Sequence, residues 1–187
     1  SEAIDSILSQ DIGFIESVEL ILVDDGSTDA SGAICDEYQH KYPKNIVVIH
    51  KPNGGVASAR NAGIAVARGR YVNFMDSDDK LTPDTLSSVY DFFIEHDKEV
   101  DLVSVPIFYF EQKNEPHRLN YKYASNKAQV IDLTTHYSYV QMSSASAFFK
   151  KEVLNDHTFD TSLRYAEDSK AIMELLLENP QYGIVPQ

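Results

Sequence analysis

Short apolar runs alternate with helical patterns along the first hundred residues. Three mostly apolar runs, at 19–23, 46–49 and 71–75, predict strands. Apolar residues at helical spacing, together with capping and stop signals, predict helices at 1–10, from the turn after residue 29 to about 42, at 56–67 and at 83–96. The alternation of strand and helix predicts a doubly wound α/β sheet, in which ligands bind at the carboxyl ends of the strands.

Acidic residues follow two of the predicted strands directly. Asp24 and Asp25 come after the first strand, and Asp76, Asp78 and Asp79 come after the third. Side chains alternate in an extended segment, so Asp76 and Asp78 point the same way and can reach one hard divalent cation such as Mg²⁺ or Mn²⁺. A solvated acidic turn is the alternative, because Asp is a common turn residue.

The second half of the chain is less regular. The pattern predicts strands at 102–110 and 143–149, and an irregular or hairpin insertion at 111–132 in which Tyr121 and Tyr123 alternate as on a strand and pack. A helix opening at 166–168 and ending near Asn179 carries apolar residues on one face. No second domain is evident, so we expect one domain.

Composition restricts the partners. The 187 residues include 43% hydrophobic residues, which predicts a folded core, and the net charge of −13 opposes binding to nucleic acid. A phosphorylated ligand therefore needs a metal or a local basic group. Cys35 is the single cysteine, which excludes a disulfide framework.

Four motifs in order resemble those of family 2 glycosyltransferases of the GT-A fold. They are Asp-Asp-Gly-Ser-Thr-Asp at 24–29, Asn-Gly-Gly at 53–55 with Ala-Arg-Asn-Ala-Gly at 59–63, Asp-Ser-Asp-Asp at 76–79 and Glu-Asp at 167–168. The resemblance covers roughly residues 1–180. It implies an α/β, GT-A (Rossmann-like) fold with a mixed, mainly parallel sheet flanked by helices and with its first strand missing from this sequence.

The resemblance also implies site residues on the donor side. Asp25 corresponds to the carboxylate that hydrogen-bonds uracil, with Asp24 as its neighbour, and Asn53 and Arg60 correspond to residues lining the nucleotide pocket. Arg60 would supply the positive charge that an acidic protein needs near phosphate.

The remaining implied residues carry the chemistry. Asp76 and Asp78 match the Asp-x-Asp motif that contacts the ribose and binds a divalent ion, Mn²⁺ or Mg²⁺, with Asp78 as the leading metal ligand. Asp168, with Glu167 beside it, matches the catalytic base, which takes the proton of the attacking hydroxyl. Its place in the first turn of a predicted helix favours the ionised form, although a structural acid is equally typical there.

The implied activity is metal-dependent and inverting. It transfers a hexosyl or N-acetylhexosaminyl group from a UDP-sugar to a hydroxyl of a glycan or cell-surface polymer. We expect residues 1–187 to form a single catalytic domain, incomplete at both ends, with a cytoplasmic location that includes the inner face of the cell membrane. Membrane association through regions outside this chain stays open.

Two other functions remain as alternatives. A non-catalytic module would bind a nucleotide-sugar without turnover. A haloacid-dehalogenase-like phosphatase also places Asp-x-Asp after an apolar strand, but that motif requires Thr or Val where this sequence has Lys80.

Overall fold

Two sheets and six α-helices make up the part of the chain that is described in this computed structural model, residues 2–108, 117, 120–123 and 127–186. The helices are α1 (Glu2–Leu8), α2 (Phe14–Ser17), α3 (Ser31–Lys41), α4 (Val56–Val66), α5 (Thr85–Glu95) and α6 (Glu167–Glu178). The strands are β1 (Leu20–Asp24), β2 (Ile46–His50), β3 (Tyr71–Asn73), β4 (Leu102–Ser104), β5 (Gln129–Asp132), β6 (Ala147–Lys150) and β7 (Gln181–Ile184).

The five-stranded sheet has the order β3-β6-β4-β7-β5, and β1 and β2 form a separate parallel pair. The α/β class and the mixed sheet are confirmed, but the prediction of a mainly parallel sheet was wrong. Among the pairings of the described strands, β1–β2 and β4–β7 are parallel and the other three are antiparallel. Parallel neighbours need a long crossover, usually an α-helix. The described residues between β4 and β6 contain no α-helix, so β6 returns antiparallel to β4.

The core lies on both faces of the larger sheet. Because side chains alternate along a strand, Leu102 faces one cluster and Val103 faces the other. The apolar face of α6 packs in the first cluster through Ile172 and Leu175, and α5 packs in the second through Phe92 and Phe93. The two helices therefore cover opposite faces of the sheet.

Several predicted elements are shorter than expected or different. The predicted buried strand at 71–75 ends at Asn73 and is only half-buried. Tyr121 and Tyr123 lie in a 3₁₀ turn rather than a strand; Tyr123 is buried, but Tyr121 is 64% exposed, so the packing role holds for one of them. The predicted strand at 143–149 begins with a 3₁₀ turn at Ser144–Ser146, and the end of the strand predicted at 102–110 falls outside the described residues.

β1 and β3 face each other across a cleft and do not pair in the described structure. The cleft encloses about 910 Å³, and α1, α3, α4 and α5 contribute to its walls. Among the described helices, none has the length and apolar character needed to cross a membrane.

Candidate active site

Four of the predicted site residues line the rim of the cleft, namely Asp24, Asp25, Arg60 and Asp76. They lie close together because β1 and β3, which precede the two acidic turns, end at the same edge of the cleft. Arg60 comes from α4, which lies between these strands in sequence. The other four, Asn53, Asp78, Glu167 and Asp168, lie outside the cleft lining. The structure therefore brings the first acidic turn, one arginine and the start of the second acidic turn to one place.

Asp25 holds the loop that follows β2. Its carboxylate accepts hydrogen bonds from the backbone N–H groups of Gly54, at 3.0 Å, and Gly55, at 2.7 Å, and it pairs with the ammonium of Lys51. Burial raises the pKa of the Asp25 carboxyl, but the hydrogen bonds from Lys51, Gly54 and Gly55 outweigh burial and leave the pKa below its usual value. The protein itself thus keeps Asp25 ionised and fixed at the rim of the cleft.

Asp24 stabilises the turn from the other side. Its carboxylate accepts a hydrogen bond from the N–H of Ser27 at 2.9 Å, and its second oxygen lies 2.9 Å from Nδ1 of His50. The hydrogen bonds from Ser27 and then His50 lower the pKa of Asp24 to about 2. Nε2 of His50 also lies 2.9 Å from Asp36, so the two carboxylates raise the pKa of the imidazole. With these partners, the geometry of Asp24 fits a turn-stabilising role.

Asn53 sits beside Gly26, in contact with the first acidic turn. Gly26 has φ +79°, and a Cβ at this position would lie 2.8 Å from the backbone nitrogen of Asn53. Only glycine adopts this conformation at low cost, and only glycine leaves room for the Asn53 backbone. The Gly in the predicted turn therefore lets the 51–55 loop pack closely against the residues after β1.

The second acidic turn has far fewer protein partners. Asp76 and Asp78 are exposed, and the Asp76 carboxylate lies 3.5 Å from Nη2 of Arg60. Burial, followed by the negative charges of Asp76 and Asp78, raises the pKa of the Asp79 carboxyl. The turn thus concentrates negative charge that the described side chains leave largely unneutralised.

This donor set fits a divalent cation that is shared with a ligand. Carboxylate oxygens suit Mg²⁺ or Mn²⁺, and Mg²⁺ usually keeps one or two protein carboxylates and completes its shell with phosphate oxygens and water. The described residues contain no group of three His, Cys, Asp or Glu side chains able to hold a metal together. Asp76 and Asp78 therefore fit a metal held jointly with a diphosphate better than one held by the protein alone.

Arg60 connects the cleft to the start of α6. Its Nη1 donates to Oε1 of Glu167 at 2.8 Å, and both side chains are about nine-tenths buried, with 11% and 9% exposed. Asp168 is half-buried beside this pair; it accepts from the N–H of Ser169 at 2.7 Å and from the N–H of Ser144 at 3.3 Å. These two donors orient the Asp168 carboxylate.

The helix that carries Asp168 begins with an unusual backbone conformation. Ala166 has φ +62° and ψ +21°. Among the described residues, it is the one non-glycine residue with a positive φ. A left-handed alanine costs on the order of 1 kcal/mol, so the surrounding contacts must hold it in place. Such strain is typical of residues at functional sites, and here it lies directly before Glu167, which pairs with Arg60.

The family match agrees with this arrangement. The family model for Glycosyl transferase family 2 matches residues 1–158, and the chain therefore belongs to that family. The chain is 42% identical over 187 residues to the minor teichoic acid biosynthesis protein GgaB of Bacillus subtilis (strain 168), covering all of this chain and 20% of GgaB. It is 35% identical over 188 residues to GgaA of the same strain, covering 99% of this chain and 42% of GgaA.

A solved structure gives the same fold. S. aureus TarS 1–349 in complex with UDP-GlcNAc superposes with a TM-score of 0.83 at 26% identity, covering 98% of this chain and 51% of that chain. The predicted GT-A class is thereby confirmed. This chain spans about half of TarS 1–349 and a smaller share of GgaB and GgaA. Because the chain belongs to the glycosyltransferase family, the alternative of a haloacid-dehalogenase-like phosphatase is excluded.

The sequence prediction missed two residues whose side chains contact the first acidic turn. Lys51 pairs with Asp25, and His50 lies between Asp24 and Asp36. Both directly follow the apolar run of β2, and β2 is parallel to β1 with Asp24 opposite His50. The signal was therefore the register of two neighbouring parallel strands, since basic residues after one strand meet acidic residues after the other.

Proposed function

We propose that this chain catalyses inverting transfer of a hexosyl or N-acetylhexosaminyl group from a UDP-sugar to a hydroxyl of a teichoic acid-type polymer. The observation that carries the proposal is the ion pair between Arg60 and Glu167, because it places the Glu-Asp segment next to the cleft whose rim holds Asp25 and Asp76. The names of GgaB and GgaA support the acceptor class, and the UDP-GlcNAc complex of TarS supports the donor class.

The donor side of the proposal uses the cleft rim. The rim borders the cleft of about 910 Å³ and carries Asp24, Asp25, Arg60 and Asp76. Asp25 is held at the rim with its loop fixed, which prepares it to accept a hydrogen bond from uracil. Asp76 and Asp78 would hold Mg²⁺ or Mn²⁺, which would supply positive charge next to the diphosphate.

The acceptor side uses Asp168. As the acceptor oxygen bonds to the anomeric carbon, its proton passes to a carboxylate oxygen of Asp168, and the bond from that carbon to the UDP oxygen breaks. UDP leaves with the electron pair of the broken bond. A base on the face opposite the leaving group gives inversion at the anomeric carbon. The backbone donors of Ser144 and Ser169 keep the carboxylate oriented for this transfer.

The test is the substitution Asp168→Asn in the intact protein. UDP release is measured with a panel of UDP-sugars, teichoic acid from Bacillus subtilis strain 168 as acceptor, and Mn²⁺. We expect turnover to fall by about 10²- to 10⁴-fold, because the general base is lost. UDP binding measured by calorimetry should change by less than about threefold, because Asp168 lies outside the cleft lining.

Glu174→Gln is the matched control, because Glu174 is an exposed carboxylate on the same helix. Its turnover should equal that of the unsubstituted protein. Full activity in Asp168→Asn would contradict the base assignment. UDP binding without release of UDP from any donor would instead favour the non-catalytic binding module.

A further inference from the structure

Arg60 contacts two later parts of the chain, the second acidic turn and the segment 159–167. Its guanidinium donates to Glu167 at 2.8 Å, lies 3.5 Å from Asp76, and sits over the ring of Phe159 with 5.3 Å to the ring centroid. The guanidinium is planar and permanently charged, and it presents several N–H donors in fixed directions. One side chain of α4 can therefore hold the start of α6 and face the second acidic turn at the same time.

The neighbouring residue of α4 strengthens this connection. Asn61 donates to the carbonyl of Phe159 at 2.8 Å and accepts from the N–H of Phe159 at 2.9 Å. Phe159 is 2% exposed and packs edge-on against Phe74, with 4.9 Å between the ring centroids. Two consecutive residues of α4 thus fix both ends of the segment 159–167, which leads into the predicted base.

Glu167 has the contacts of a positioning residue. Its side chain is nearly buried, and the contact that the structure gives its carboxylate is the arginine. The charge of a buried carboxylate is costly unless it is paired, and Arg60 supplies the pair. Asp168, the next residue, keeps a half-buried carboxylate. The two acids of the Glu-Asp segment therefore differ in role, although the sequence prediction placed both in the catalytic group.

We infer that Arg60 and Glu167 form a positioning pair that sets Asp168 relative to the turn at Asp76. This inference rests on the proposed function. The pair itself makes no bond to the reacting atoms. It acts by restraining the first turn of α6, including the left-handed Ala166, so that the base stays at the correct distance from the donor. A shift of about 1 Å in such a group can reduce the rate about a hundredfold.

The experiment compares Arg60→Lys, Glu167→Gln and the double variant in the intact protein. Lysine keeps the charge but loses the planar fork, so we expect kcat for UDP release from UDP-GlcNAc to fall about 10- to 100-fold. KM for UDP-GlcNAc should change by less than about threefold, because lysine keeps the positive charge at the rim of the cleft. Glu167→Gln should have a smaller effect, since its amide oxygen still accepts from Arg60. The double variant should match Arg60→Lys, because the two residues act through each other.

The matched control is Arg68→Lys. Arg68 follows the carboxyl end of α4, and its side chain is 72% exposed and paired with Glu19. The same chemical change there should leave kcat and KM unaltered.

Hydrogen–deuterium exchange without donor measures positioning separately from catalysis. Peptides covering 159–170 should exchange faster in Arg60→Lys than in the unsubstituted protein, while peptides of α5 should not change. If the unsubstituted protein releases no UDP from any donor, the proposed function fails, and the exchange data still test the pair. Unchanged exchange and kcat in Arg60→Lys would overturn the inference. A rise in KM as large as the fall in kcat, or losses that multiply in the double variant, would also overturn it.

Discussion

The two acidic turns at the edge of the cleft have similar sequences but opposite electrostatics. After β1, Asp24 and Asp25 receive hydrogen bonds from backbone amides, a lysine and a histidine, and their pKa values are lowered. After β3, Arg60 lies 3.5 Å from Asp76, and burial together with the charges of Asp76 and Asp78 raises the pKa of Asp79. The comparison teaches that the protein's own donors organise the first turn, whereas the second turn keeps exposed carboxylates that the proposed cation would bind.

The largest expected difference between the turns is in ligand binding. Asp78→Ala should weaken UDP binding in the presence of Mn²⁺ by more than about tenfold, or about 1.4 kcal/mol, because the proposed cation loses a carboxylate ligand. Without metal, the variant and the unsubstituted protein should bind UDP equally. Calorimetric titration of UDP with and without Mn²⁺ measures both effects. Asp91→Ala, an exposed change on α5, is the control. Metal-independent binding of equal strength in all three proteins would contradict the cation assignment.

Stability should respond to the first turn instead. Asp25→Asn removes the charge that Lys51 and the amides of Gly54 and Gly55 stabilise, and we expect a loss of about 1 kcal/mol. For a chain of this size, that loss lowers Tm by about 2 to 4 °C. Thermal unfolding followed by circular dichroism measures it, with Glu37→Gln, an exposed change on α3, as control. An unchanged Tm would show that Asp25 does not hold the loop.

The smallest effect, and the sharpest test of the comparison, is the response to acid. Folding lowers the pKa of Asp25. The ionised carboxylate therefore adds to the free energy of unfolding above the pKa of the unfolded chain, and this stabilisation is lost as pH falls through the pKa of the folded protein. Folding raises the pKa of Asp79. The protonated carboxyl therefore adds to the free energy of unfolding below the usual pKa of 3.8, and this stabilisation is lost as pH rises through the pKa of the folded protein.

Asp25→Asn should therefore reduce the loss of stability in acid, whereas Asp79→Asn should raise stability at neutral pH and leave it unchanged below about pH 4. Urea unfolding between pH 3 and pH 7 without divalent metal measures, for each variant, the slope of the free energy of unfolding against pH. Slopes that change in the same direction for the two variants would break the comparison.

The sequence predicted the local elements better than their packing. The helix predicted at 56–67 forms at Val56–Val66, because small apolar residues and a following Gly are sufficient local signals. The strand predicted at 71–75 ends at Asn73, whose side-chain amide donates to the carbonyls of Ala145 and Ala147. That ending depends on a segment more than 70 residues away, which no local pattern contains.

β7 was missed for a related reason. Pro180 and Gly183 indicate a loop, yet Gln181–Ile184 is an interior strand of the larger sheet, between β4 and β5. A Cβ on Gly183 would lie 2.7 Å from the ring of Phe92 and 2.9 Å from Val103. The glycine is there because two core side chains occupy the space, and only the folded structure shows this packing.

The candidate site was predictable as a set of residue types and less so as a set of contacts. Asp25, Arg60 and Asp76 meet at the cleft because strand ends share an edge, which the order of elements already indicated. The pairing of Arg60 with Glu167 joins residues 107 positions apart and follows from how α6 packs. Their individual roles in binding and catalysis stay predictions that the experiments above test.

The left-handed Ala166 implies that conformational freedom at this point can be changed without changing overall stability. Replacing it with glycine would relieve on the order of 1 kcal/mol in the folded chain. The same change would also give the unfolded chain more entropy, about 0.5 to 1 kcal/mol. The two effects nearly cancel, so Ala166→Gly should leave Tm almost unaltered while widening the range of orientations open to Asp168. Slower turnover at constant Tm would show that the methyl group of Ala166 contributes to the rate of the reaction.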